Sequence, residues 1–189
     1  MDEKATRKYS YADLLAWPEQ PRYELIEGDL IMMASPSVVH QVISMRITNV
    51  IFNYLRGKTC QVFNTAIDIR LFAGKDDAPE TIDTVVQPDI FIVCDRDKLD
   101  KRGCNGAPDM VAEILSPSNW QYDLWTKLRL YEKAGVSEYW IIDPETKTLA
   151  VYLSGENGFR SPILYARTAK VKVEVLDDCW IDLEEVFAE

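Results

Sequence analysis

Two short apolar runs constrain this chain most: Ile90-Phe91-Ile92-Val93, opened by Pro88-Asp89, and Met110-Val111-Ala112-Glu113-Ile114-Leu115. Short runs that are nearly all apolar are what central strands covered on both faces look like. The second run carries one carboxylate, Glu113, in its middle. Burying a lone carboxylate among apolar side chains is costly, and holding a metal ion is the commonest good reason for it. A polar turn, Ser116-Pro117-Ser118-Asn119, follows, and a helical pattern then brings in Asp123 and Lys127.

Around these strands the pattern alternates. Ser10 is an N-cap for a short helix over Ala12–Ala16, which ends near Pro18. Tyr23–Ile26 and Leu30–Met33 flank Glu27-Gly28-Asp29 and read as a hairpin. Ser37 caps a long amphipathic helix from Val38 to Leu55, with Gly57 as its stop. Gln61–Phe72 alternates Ile67, Ile69 and Leu71 with Asp68 and Arg70, which predicts a strand with one exposed face. Gly74–Asp83 is a loop, and Asp95–Arg102 is a surface connection. Tyr122–Ala134 is a helix stopped by Gly135, and strands follow at Tyr139–Ile142, Leu149–Leu153, Ile163–Ala166 and Val171–Val175. The expected fold is α/β, a mixed central sheet flanked by helices, with an N-terminal hairpin in front and strands behind. A length of 189 residues fits one domain over 1–189, with its core at about 22–154.

No apolar run reaches the roughly 18 residues of a membrane span. The first residues lack the apolar stretch of a signal peptide. The expected place is therefore the cytoplasm, away from membranes. Cys60, Cys94, Cys104 and Cys179 form no C-x-x-C pair and read as ordinary reduced thiols. The net charge of −10 argues against a protein that coats nucleic acid, which should be basic. It leaves room for an enzyme that meets DNA through a local basic patch and a bound metal.

Asp89 and Glu113 are the centre of the candidate site. If their strands are neighbours, the backbones lie about 4.8 Å apart, and two carboxylates at matching heights on one face could grip one divalent cation. Oxygen ligands suit magnesium or manganese, which stabilises the charge of a phosphoryl transition state and lowers the pKa of bound water. Asp109 shares a face with Glu113 but stands four steps away, about 13 Å in a strand, so it starts the strand at the rim. Lys127 can point back from the following helix to orient a water or stabilise developing charge. Asp123 lies four residues earlier, where an exposed i,i+4 pair with Lys127 explains it. Glu24 in the first hairpin adds a carboxylate or faces solvent. His40, the one histidine, reads as a surface or capping residue. With one histidine and no cysteine cluster there is little material for zinc. Trp120 and Trp125 flank the proposed site, where stacking on bases is the lesser alternative and core or interface packing explains them better.

At these residues the chain resembles a known family. Tyr23-Glu24-Leu25-Ile26-Glu27-Gly28-Asp29-Leu30, His40-Gln41, Gln87-Pro88-Asp89 and the block from Pro108 to Asn119 are similar to the Uma family of restriction-endonuclease-like proteins, within the PD-(D/E)XK nuclease superfamily. Asp123, Lys127, Tyr131, Ala134-Gly135-Val136, Glu138-Tyr139-Trp140 and Asp143-Pro144 extend the match, which covers roughly Arg22 to Tyr152. The resemblance implies a restriction-endonuclease-like core and a magnesium- or manganese-dependent endonuclease acting on DNA. It gives Asp89 and Glu113 as the two acids of the motif, with the main-chain carbonyl of Leu115 as a further metal ligand. Leu115 also stands where the usual lysine would be, and the resemblance implies that the lysine has moved to Lys127. It makes Glu24 a member of the site, and Asn119 stands where threonine is usual. A non-catalytic binding or assembly module on the same scaffold is the alternative, and RNA or damaged or branched DNA are alternative substrates. Exposed edges and aromatics lead us to expect a homodimer.

Overall fold

The computed structural model describes residues 7–18, 20–64, 66–116 and 123–188, with the backbone alone described at Asp123 and Leu124. The expected features at residues 117–122, including Trp120, Asn119 and the start of the Tyr122–Ala134 helix, lie outside the described residues, as does the Asp123 side chain.

The chain opens with helix α1, Tyr11–Leu15, whose Ser10 and Asp13 cap each other reciprocally. Strands β1, Tyr23–Ile26, and β2, Asp29–Met32, form the expected hairpin. Its two turn residues, Glu27 and Gly28, both have positive φ, as a twisted two-residue hairpin turn requires. Helix α2, Val38–Leu55, is capped by Ser37, and its buried stripe includes His40, Ile43, Ile47 and Ile51.

One predicted strand divides in two. In place of a continuous strand over Gln61–Phe72 there are β3, Gln61–Asn64, and β4, Asp68–Arg70, in different sheets. Ala66 between them has φ 51°, a turn that alternation of side chains does not reveal. Arg70, expected on a wet face, is buried and makes two bonds to Asp100, at 3.1 and 2.8 Å.

The central strands are β5, Ile90–Val93, and β8, Met110–Ile114, and every residue of both is buried. Between them β6, Leu99–Asp100, and β7, Gly103–Asn105, join β4 in a three-stranded sheet. A π-helical turn, Asp123–Lys127, leads into helix α3, Leu128–Ala134, which ends at Gly135 with φ 85°. Then come β9, Glu138–Asp143, β10, Thr148–Gly155, β11, Gly158–Phe159, and β12, Ile163–Ala166. Strands β13, Lys170–Lys172, and β14, Trp180–Asp182, pair with each other before the last helix, α4, Leu183–Val186.

The main sheet has seven strands in the order β11-β10-β9-β8-β5-β3, with β12 also on β10. Strands β8 and β9 are parallel and the other pairs antiparallel, so the sheet is mixed, as expected. The parallel pair requires a crossover, which runs through α3. Alternation along β5, β8 and β9 divides the core cleanly. Ile90, Ile92, Met110, Ala112, Trp140 and Ile142 pack under α2 and the C-terminal Val171, Ile181 and Phe187. Phe91, Val93, Val111, Tyr139 and Ile141 pack under Leu130 and Tyr131 of α3.

Cys60 and Cys94 are disulfide-bonded, which corrects the expectation of four reduced thiols. They continue the antiparallel register that pairs Gln61 with Val93, so pairing of β3 with β5 brings them face to face. Cys104 and Cys179 are free and buried. No described helix is long and apolar enough to cross a membrane.

Candidate active site

The site lies at the end of the main sheet where β5 begins and β8 finishes. The register pairs Ile90 with Ala112, and one step further stand Asp89 and Glu113 as cross-strand partners. Both line one cleft, together with Glu24, His40 and Lys127. Asp109 is at the other end of β8, where its carboxylate accepts the Cys94 N–H at 2.7 Å. The strand geometry thus separates the two Pro-Asp pairs as expected.

Glu113 shares its face of β8 with Val111 and points toward α3. Its Oε1 accepts from Lys127 Nζ at 2.9 Å and from Tyr131 Oη at 2.7 Å. Lys127 also donates to Glu24 Oε1 at 3.0 Å. All three charged groups are buried, with Glu24 3%, Glu113 6% and Lys127 4% exposed. A buried ammonium is tolerable only when paired, and here two carboxylates flank it, leaving the trio one negative charge in excess. The Tyr131 hydroxyl offsets part of that excess as a donor. Burial, and then the adjacent Glu113 and Glu24 carboxylates, hold its pKa well above the ordinary tyrosine value, so it stays protonated.

Each member is fixed by its element. Leu25 exchanges backbone bonds with Val85 at 2.8 and 2.7 Å and buries its side chain with Tyr11 and Ile82, so Glu24, its neighbour, takes the opposite face of β1. Glu24 Oε1 also accepts the Gln87 N–H at 2.9 Å, tying β1 to the segment that leads into Asp89. Lys127 closes the π-helical turn, a rare conformation often found at functional sites. Tyr131 is one helical turn further, on the same side.

Asp89 sits just before β5, and its carboxylate bends over the sheet end. Oδ2 accepts the Ile114 N–H at 2.8 Å and lies 3.0 Å from His40 Nε2. His40 is therefore a site residue, buried at 7% and delivered by the first turn of α2 from the other face of the sheet. Its Nδ1 is buried with no partner among the described residues. The sequence marked His40 as a surface or capping residue, because its contact with Asp89 is long-range and leaves no local pattern. Tyr131 was marked in the sequence only as one of the residues that extend the family resemblance, with no role given to it.

Ile114 and Ser116 line the cleft, whereas Leu115 between them does not, and its N–H bonds Ile142 in the sheet. Trp125 is 67% exposed and lines a separate cleft with Arg129 and Lys133. Among the described residues no group of three or more His, Cys, Asp or Glu could hold a metal ion. Lys127 bonds both Glu24 and Glu113, and Asp89 contacts His40. The donors still fit magnesium or manganese. Such ions are commonly held by one or two carboxylates, with water and substrate phosphate completing the shell. Asp89 and Glu113 supply two carboxylates from cross-strand positions.

These features define a mixed-sheet α/β protein with a buried acid–lysine cluster at one end of the sheet. The chain matches the crystal structure of a "putative nuclease belonging to DUF820" from Anabaena variabilis ATCC 29413 with a TM-score of 0.73. The two are 23% identical, and the match covers 95% of this chain and 97% of that one. An uncharacterized protein of Synechocystis sp. is 28% identical over 155 residues, 80% of this chain and 77% of its own length. Residues 11–184 match the Uma2 family model, described as "Putative restriction endonuclease", and the chain belongs to that family.

Proposed function

We propose that this protein is a divalent-metal-dependent endonuclease that hydrolyses phosphodiester bonds of DNA. The observation that carries the reading is the meeting of Asp89, Glu113, Glu24 and Lys127 in one cleft, from four separate segments of the chain. Asp89 and Glu113 would hold magnesium or manganese, which supplies Lewis-acid stabilisation of the phosphoryl charge. Lys127 is placed to orient the attacking water and to offset charge as it develops. Glu24 holds the lysine when substrate is absent, and Tyr131 keeps the Glu113 carboxylate aimed. His40 and the Ile114 N–H fix the orientation of Asp89 through one oxygen, leaving the other, Oδ1, as the ligand. The test is plasmid nicking in magnesium or manganese beside the Glu113→Ala variant. Nicking by the wild type alone supports the reading, and equal nicking by both assigns it to a contaminant.

The net charge of −10 favours a second reading, a non-catalytic binding or assembly module on the same scaffold. Calorimetry separates the two, since this reading expects no heat from millimolar magnesium or manganese. We also infer a homodimer. The exposed Val38, Met45 and Phe52 of α2, and Leu164 on edge strand β12, are surfaces that a second copy would cover. Sedimentation that returns a monomer throughout the micromolar range disposes of it.

A further inference from the structure

A second cleft lies beside the acidic one, and its walls have a different chemistry. It encloses about 530 Å³ and is lined by Tyr11, Trp17, Tyr23, Arg22, Asp68 and Gln87, among others. Arg22 and Gln87 line both clefts. Successive residues of a strand face opposite ways, so β1 divides the two: Glu24 belongs to the acidic cleft and Tyr23 to the aromatic one. We propose that this aromatic cleft holds one unstacked nucleobase of the strand whose phosphodiester lies at Asp89 and Glu113. The substrate class is thereby single-stranded or locally opened DNA. The inference rests on the nuclease reading for the phosphate, and on residues of its own for the base.

Three observations carry it. The first is the aromatic wall. Trp17 is gripped edge-on, its ring 5.4 Å from Tyr9 and 5.3 Å from Tyr23, yet 36% of the residue stays exposed. A fixed ring with open surface offers a base a stacking partner at little ordering cost.

The second is an unused acceptor. Tyr11 Oη donates to Asp68 Oδ2 and Gln87 Nε2 donates to Asp68 Oδ1, both at 2.7 Å. Burial and the Asp68 contact hold the Tyr11 phenol above its ordinary pKa, so it remains a donor. A carboxylate only accepts, which fixes the Gln87 amide with its nitrogen toward Asp68. Gln87 Oε1 is then an acceptor, and it is buried with no partner among the described residues. Gln87 borders the cleft, so a small shift of its side chain would let an exocyclic amine or ring N–H of a base supply the missing donor.

The third is Arg22. It lines the cleft that holds Glu24, Asp89 and Glu113, and it makes no ion pair with any described residue. A guanidinium there suits the phosphate that links the base in one cleft to the scissile group in the other.

The test measures binding apart from cleavage. Labelled 12-nucleotide strands, one with bases and one abasic throughout, are titrated by fluorescence anisotropy. The titrations use the wild-type protein with calcium in place of magnesium, another oxygen-ligated cation that leaves Asp89 and Glu113 intact as ligands while the strand is spared rapid hydrolysis. The strand with bases should bind about tenfold tighter or more, the range set by stacking one base. Adding Trp17→Ala should erase that preference and leave the abasic affinity unchanged, while Trp17→Phe should retain it. A 2-aminopurine in the strand should be quenched by the Trp17 protein and not by the Trp17→Ala protein. Equal affinity for the two strands, no binding of either, or a Trp17→Ala loss shared by both would overturn the proposal. Cleavage of the base-bearing strand by the wild type in magnesium is read separately. Cleavage without base-dependent binding sinks the subsite and spares the hydrolysis reading, and base-dependent binding without cleavage does the reverse.

Discussion

At the scale of single residues the buried trio dominates. Lys127 stabilises two carboxylates at once, so its loss and the loss of either acid are unequal. Lys127→Met leaves Glu24 and Glu113 buried without their cation and is expected to destabilise the fold by about 3–5 kcal/mol. Glu24→Gln leaves the 2.9 Å Lys127–Glu113 contact in place and should cost clearly less. Urea unfolding of the two variants at pH 7 checks the order. A second prediction concerns Arg70 and Asp100. The two bonds from Arg70 hold the Asp100 carboxyl well below the ordinary carboxylate range, against a smaller opposing effect of burial. The unfolded chain therefore binds more protons than the folded one below about pH 4, and stability falls as pH falls there. Asp100→Asn removes that contribution. Its deficit against wild type should be full above pH 5 and shrink towards pH 2, read as urea midpoints along the pH series. Asp100 is 43% exposed at its side chain, so solvent screening keeps the pH-dependent part of the deficit small. Glu113 was legible in the sequence because an acid in an apolar run stands out. His40 was not, because its partner Asp89 comes from a distant segment.

At the scale of elements, legibility follows how local the cause is. The hairpin, the caps of α1 and α2, and strands β5 and β8 are set by neighbouring residues, and the sequence shows them. The division of Gln61–Phe72 depends on a positive φ at Ala66 and on the burial of Arg70 against Asp100, which stands 30 residues away. The Cys60–Cys94 bond depends on which strand pairs with β3 and in what register, which no spacing of cysteines reveals. The start of α2 carries a prediction of its own. Ser37 Oγ accepts the N–H of His40 at 3.2 Å, so the cap also anchors the residue that contacts Asp89. Ser37→Ala should cost about 1 kcal/mol and Ser37→Asp should restore it. Thermal or urea unfolding of both variants decides the matter, and an alanine variant as stable as wild type would remove the cap from the account.

At the scale of the whole molecule the charge has to be reconciled with a nucleic-acid substrate. Lys and Arg number 21 against 31 Asp and Glu, a net charge of −10. A protein that binds DNA by spreading cations along phosphates shows a steep loss of affinity with salt, roughly 0.9 in slope per phosphate contacted. This chain has little to spread. The candidate contacts are few, Arg22 beside the acidic cleft and Arg129 and Lys133 along α3. If the cation held by Asp89 and Glu113 provides the main attraction, two results follow together. Affinity for an oligonucleotide should collapse when the metal is chelated and return when magnesium is restored. In magnesium, the log–log slope against potassium chloride should have a magnitude of about 1–2. A slope of 5 or more, with binding indifferent to chelator, would mean that a basic surface carries the substrate and that the acidic cleft does not anchor it.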